Sequence, residues 1–138
     1  MNILIIDGQG GKIGKQLVTT IQKNFPSSRI VAVGTNAVAT AAMLKGTQIQ
    51  GATGENAVIA NARRADVIIG PIGIVIADSM LGEISPPMAA AVGQSPAVKI
   101  LLPVNRCDNL VAGINDISIN ELINDVVDKL SAIKSCER

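Results

Sequence analysis

Residues 3–18, "ILIIDGQGGKIGKQLV", constrain the fold more than any other stretch. Ile3, Leu4, Ile5 and Ile6 form an unbroken apolar run that ends at Asp7. Gly8, Gly10, Gly11 and Gly14 follow within seven residues, and helical spacing begins at once. A strand with no polar alternation is one covered on both faces, which is the environment of a parallel sheet. Parallel neighbours need a crossover, and a helix opening straight after the strand supplies one.

The rest of the chain repeats this alternation. Ile13, Leu17, Val18 and Ile21 predict a helix over 12–24, ended by Phe25-Pro26. "RIVAVG" (29–34) predicts a strand, and an alanine-rich helix over 37–45 stops at Gly46. Residues 47–54 read as a short strand or turn. Residues 55–64 read as a helix with Arg63 and Arg64 in its last turn, and 65–70 as a strand. Residues 71–84 show neither period. A helix over 86–95 begins with proline, as the first turn tolerates; strands are expected over 97–104 and, shorter, over 109–114. Ser118 and Glu121 form a capping box ahead of a stripe of Ile119, Leu122, Ile123, Val126, Val127, Leu130 and Ile133, which reads as core packing. The expectation is a single α/β domain over residues 1–138: three layers around a doubly wound, mostly parallel, Rossmann-like sheet.

Composition narrows function. Charged residues are 17% and apolar ones 48% of the chain, against about 25% charged in an ordinary domain. A sheet buried on both faces and a subunit interface both push that way, so a homo-oligomer is expected. Net charge is +1 with 1% aromatics, which lacks the basic patch and stacking rings of a nucleic-acid binder. The apolar stretch 67–77 is too short to span a bilayer and holds a proline and two glycines. The chain opens on a strand with no signal-peptide pattern, so a cytoplasmic protein with reduced Cys107 and Cys136 is expected, and no metal. With no His, Tyr or Trp, the commonest general base and every histidine-activated nucleophile are excluded.

In doubly wound sheets ligands sit at the carboxyl ends of the strands, near the point where strand order reverses. Gly8, Gly11 and Gly14 have the G-x-x-G-x-x-G spacing in the required strand-to-helix context, and Lys12 in the first helical turn reaches toward a phosphate. The other reading is a turn that uses glycine for its dihedrals alone. Thr35 and Asn36 at the second strand's tip stand where an NAD site usually carries an acid; either can bond a ribose hydroxyl, and Asn36 also suits the N-cap of the next helix. Gly51 and Gly54 offer a second anion nest, or Thr53 a cap. Gly70, Pro71 and Gly73 either cover a cofactor or simply turn out of the sheet. Arg106, Cys107 and Asp108, with Asn105, are the catalytic candidates: a bidentate anion binder, a thiol and an orienting carboxylate. Asp78, Ser79 and Glu83 read as helix-surface polar residues, and Asp7 as the residue that orients the glycine loop.

"DGQGGKIGKQLVTTI" resembles the loop of the dihydrodipicolinate reductase N-terminal domain and that of the atypical short-chain dehydrogenases. That resemblance covers about the first twenty residues and implies NAD(P) held by Gly8, Gly11 and Gly14, with backbone contacts from Gln9, Gly10, Lys12 and Ile13. The Tyr-x-x-x-Lys pair of the dehydrogenases and the histidine-rich substrate domain of the reductase are absent. Over its length, through "VAVGTN", "GATGEN", "ADVIIGPIGIVIADS" and "PVNRC", the chain is similar to a family of short bacterial Rossmann-like proteins of unknown function. The expected function is nucleotide or dinucleotide binding, NAD(P) foremost, as an oxidoreductase subunit. The alternative is a non-catalytic ligand-sensing or protein-interaction module binding a nucleotide or phosphorylated metabolite.

Overall fold

The computed structural model describes residues 1–104 and 108–136. Its strands are β1 (Asn2–Asp7), β2 (Arg29–Gly34), β3 (Gln50–Thr53), β4 (Val67–Pro71) and β5 (Val98–Leu102). They alternate with α1 (Lys12–Asn24), α2 (Ala37–Leu44), α3 (Glu55–Ala62), α4 (Pro86–Gln94) and α5 (Ile119–Cys136). The sheet order is β3-β2-β1-β4-β5 and every pair is parallel. The unbroken apolar β1 therefore lies at the centre, with Ile3 opposite both Ile30 and Val67.

Period-two alternation divides β1 between two cores. Ile3 and Ile5 pack with Leu17, Val18 and Ile21 of α1, Met43 of α2, and Ile123, Val126 and Leu130 of α5. Leu4 and Ile6 pack on the other face with Val58 and Ala62 of α3 and with Met88 and Val92 of α4. Each such aliphatic side chain contributes roughly 1.5–3 kcal/mol on full burial, so both faces must be covered. The three expected layers are these. From β1 the chain winds outward through β2 and β3, then returns to β4 on β1's other side. The reversal between β1 and β4 places a crevice over β1's carboxyl end.

Local cues set most element ends. The Ser118 hydroxyl accepts from the Glu121 N–H at 3.2 Å and the Glu121 carboxylate from the Ser118 N–H at 3.3 Å, completing the expected capping box. Three expectations change. Residues 109–114 form no strand: the chain turns at Ala112 and Gly113, where Gly113 has φ 81°, Leu110 is 96% exposed, and Val111 and Ile114 line a groove beside β5 and α5. Helix α3 closes at Ala62 with Arg63 as C-cap, leaving no cation in its last turn. It starts at Gly54, φ 100°, while the Thr53 hydroxyl pairs with that of Thr40 at 2.7 Å instead of capping.

Of residues 71–84, which showed no period, Pro71 ends β4 and the rest are a 3₁₀ turn (Ile72–Val75) followed by a lobe of tight turns over 76–84. The Asp78 N–H donates to the Ile84 carbonyl at 2.7 Å, the Ser79 hydroxyl bonds the Gly73 carbonyl, and Ile84 is buried, so the lobe is pinned at its base. Asp78, Met80 and Leu81 have φ of 66°, 56° and 56°. Left-handed backbone costs an L-residue roughly 1–2 kcal/mol, so this lobe stores strain that its contacts must offset. Among the described residues no helix is long and apolar enough to cross a membrane.

Candidate functional site at the carboxyl end of the sheet

Asp7 ends β1 and is 4% exposed. Its carboxylate accepts the Gly8 N–H at 2.8 Å and the Gly14 N–H at 2.7 Å. The loop closes on itself through the Gly11 N–H and the Gly8 carbonyl at 2.9 Å. Asp7 thus orients the glycine loop, as its place in the sequence predicts. It also satisfies an amide in the first turn of α1, whose N-cap, Gly11, has no side chain to do so. The Lys12 and Ile13 amides have no intrahelical acceptor by geometry, and none accepts from them among the described residues. Lys12 is exposed, and the Ile13 side chain is packed against the first core.

The lobe over 76–84 leaves β4, crosses the tip of β1 and reaches the tip of β2, where Glu83 becomes the hub. One oxygen, Oε1, accepts from the Gln9 N–H at 2.9 Å, the Thr35 hydroxyl at 2.6 Å and the Asn36 side-chain amide at 2.6 Å. The Asn36 amide also donates to the Gln9 carbonyl at 3.0 Å, and its Oδ1 caps α2 by accepting the Ala39 N–H at 2.8 Å. The N-cap reading of Asn36 is correct, and the side chain ties loop, lobe and helix together as well. Gln9 completes the corner with φ 49°. Glu83 is therefore not a helix-surface residue; Asp78, Ser79 and Glu83 all lie in the lobe.

The structure thus gathers Gly8, Gln9, Thr35 and Asn36 around one carboxylate. Gly10 lies exposed at the loop's apex with open space around it. Gly70 and Pro71 lie inside β4: a Cβ on Gly70 would meet the Ile6 carbonyl at 2.4 Å, and Pro71 pairs with Leu102. Gly73 leaves room for Ser79, where a Cβ would meet its Oγ at 3.0 Å. These residues let the sheet and lobe close; no hydrogen bond joins them to the glycine loop among the described residues. Asp108 is exposed and likewise unconnected to the loop. Arg106 and Cys107, with Asn105, lie outside the described residues.

Burial pushes the Asp7 carboxyl above its ordinary range; the Gly14 and Gly8 amides oppose this, and the charge of Glu83 reinforces it. Burial acts upward on Glu83 too, but the Thr35, Gln9 and Asn36 donors outweigh it and hold that carboxyl below its usual range. The two acids titrate as neighbours pulled apart. Replacing Glu83 with Gln removes the repelling charge, so Asp7's midpoint should fall. Carboxyl-carbon NMR titration of Asp7 in the wild type and in Glu83→Gln reads this directly; an unchanged midpoint would mean that burial and the two amides set it without Glu83.

This arrangement offers open helix N-terminal amides, an exposed lysine beside them, and an ionised carboxylate with hydroxyl and amide neighbours. It can bind an anion and a polyol together. A family described as "Domain of unknown function (DUF3842)" matches residues 2–135. The chain belongs to the DUF3842 family. No curated protein and no solved structure shows significant similarity to it. DUF3842 membership thus agrees with the expected family of unknown function, the sheet order with its Rossmann-like fold, and neither attaches chemistry to the loop.

Proposed function

We propose that this DUF3842 protein binds a nicotinamide dinucleotide across the β1–β4 crevice, with the pyrophosphate on the first turn of α1. The observation that carries this is the state of the loop's donors. Asp7 takes the inward amides of Gly8 and Gly14, while those of Lys12 and Ile13 stay open beside an exposed ammonium. A pyrophosphate is an anion of the size and charge that such a helix start receives. Hydride transfer would then be the cofactor's own chemistry, and the catalytic form of the reading needs a substrate pocket completed by a second subunit. A homo-oligomer is part of the proposal, supported by half-exposed Val98, Ile114 and Ile117 around the groove along edge strand β5.

A second reading, a ligand sensor, is favoured by the lobe. Met80, Leu81 and Gly82 are consecutive left-handed residues, and Leu81 is 98% exposed at the tip. Strain of this kind concentrates in ligand clamps and switch segments, and a lobe that shifts as the crevice fills would move an apolar tip.

Thermal unfolding with NAD, NADH, NADP, NADPH, ATP and AMP tests the binding step that both readings share. A ligand at a hundred times its dissociation constant stabilises by about 2.7 kcal/mol, a rise of several degrees in a domain of this size. Gly10→Leu is the matched control, since a Cβ there meets no atom within 4 Å. It should unfold at the wild-type temperature and lose the ligand-induced rise. No rise with any dinucleotide in folded wild-type protein removes the proposal.

A further inference from the structure

Dinucleotide folds ordinarily carry, at the end of the second strand, an acidic residue that takes the ribose hydroxyls of an unphosphorylated cofactor; an arginine nearby accommodates a 2′-phosphate. Here the tip of β2 reads Thr35-Asn36 and has neither. The structure nevertheless holds a carboxylate at that tip, delivered by a different element. Glu83 lies 48 residues beyond Thr35, in the lobe after β4, and bonds Thr35, Asn36 and Gln9 together.

We propose that Glu83 is the ribose-binding residue of this site and makes it selective for NAD(H) over NADP(H). This rests on the dinucleotide reading above. The geometry divides the labour between the two oxygens of the carboxylate. Oε1 is saturated by three donors, which holds the group at the tip of β2. Oε2 accepts no hydrogen bond among the described residues, and the side chain is only partly buried. A held carboxylate with one oxygen free of hydrogen bonds is an acceptor for hydroxyl donors. The carboxylate also lies beside the loop: a Cβ placed on Gly8 would stand 2.7 Å from Met80 Sδ and Thr35 Oγ1 and 3.3 Å from Oε1, so Glu83 reaches the first glycine together with the lobe and the tip of β2. Selectivity follows from charge. A 2′-phosphate at this tip would face an ionised carboxylate, and no Lys or Arg bonds Thr35, Asn36 or Glu83 among the described residues to offset the repulsion.

Calorimetric binding of NAD and NADP to the wild type and to Glu83→Gln tests this. Glutamine keeps the size and one oxygen acceptor for the three donors, but replaces the free anionic oxygen with an NH₂ that cannot accept from a hydroxyl and no longer repels a phosphate. The wild type should bind NAD at least tenfold more tightly than NADP. In Glu83→Gln the affinity for NAD should fall about tenfold and the ratio should close to within a few-fold. Competition by AMP against 2′-AMP in the wild type gives the same comparison without a variant, and AMP should displace the dinucleotide at a concentration at least tenfold lower. Equal or tighter binding of NADP by the wild type overturns the assignment of Glu83 and leaves the dinucleotide site standing. Tighter binding of both dinucleotides by Glu83→Gln also overturns it, because Glu83 would then be an internal competitor for the loop. Binding of neither by the wild type overturns this inference and the proposed function together.

Discussion

Asp7→Ala should lower stability by roughly 2–6 kcal/mol, since each buried donor left without an acceptor costs about 1–3 kcal/mol and two lose theirs. The Gly8 and Gly14 amides are both buried and both bond this one side chain. Against a total of about 5–15 kcal/mol for a natural domain, the loss is a large fraction, and the melting temperature should fall by about 10 °C. Asp7→Asn keeps one oxygen acceptor and should lose about half as much. The pH dependence fixes the mechanism. Asp7's folded pKa is raised above its ordinary 3.8, so the folded state favours the protonated form. The stability this contributes is fully present below the unfolded pKa and is lost as pH rises through the folded one. The gap between wild type and Asp7→Ala should therefore be widest near pH 4 and narrower at pH 7. Glu83, whose folded pKa is lowered, contributes in the opposite sense: its stabilisation is present above its ordinary 4.5 and lost as pH falls through the folded value. That contribution is common to both proteins and largely cancels in the difference. Urea unfolding at the two pH values decides it. A gap that widens toward pH 7 would show that the two amides, and not burial, dominate Asp7.

The parts of this fold that were legible were those with local causes. Helix α1 occupies the residues its spacing predicts because Gly11 opens it and Phe25-Pro26 closes it, all within the helix's own neighbourhood. The sheet was legible because β1 is apolar at every inward position on both faces. Asp7's role followed from its place between a strand and a loop rich in unbonded amides. The 109–114 stretch misled because Leu110, Val111 and Ile114 have strand-like composition; what decides is that the chain turns at Gly113 and spends these side chains on the surface and on the groove beside β5. Glu83 stood out only as one of three polar residues read as helix surface, and its place as a hub could not be seen. Its partners lie 48, 47 and 74 residues away, and the lobe that carries it is a series of left-handed turns built partly from Met and Leu, residue types that give no turn signal.

Gly11→Ala should be nearly as damaging as Asp7→Ala, and it separates two roles that one glycine-rich loop performs. Gly11 has φ 73°, and a Cβ there would lie 2.7 Å from the Ala39 carbonyl oxygen and 2.8 Å from its Cα. The left-handed conformation costs alanine roughly 1–2 kcal/mol, and overpacking adds about 1–3 kcal/mol. The obstructing atoms are backbone at the start of α2, where Asn36 has already fixed the helix end, so no side chain can swing aside. A loss of about 3 kcal/mol is expected. Gly10→Ala, one residue earlier, has open space and should change stability by no more than about 0.5 kcal/mol. Gly11 is thus a requirement of the fold, whatever the loop binds, whereas Gly10 is not and serves the proposed ligand alone. Denaturant midpoints of the two variants, with dinucleotide titration of each, distinguish these roles. If Gly11→Ala retained wild-type stability, the close approach of the loop to α2 would not exist in solution, and the helix N-terminus would not be held where the proposed pyrophosphate site needs it.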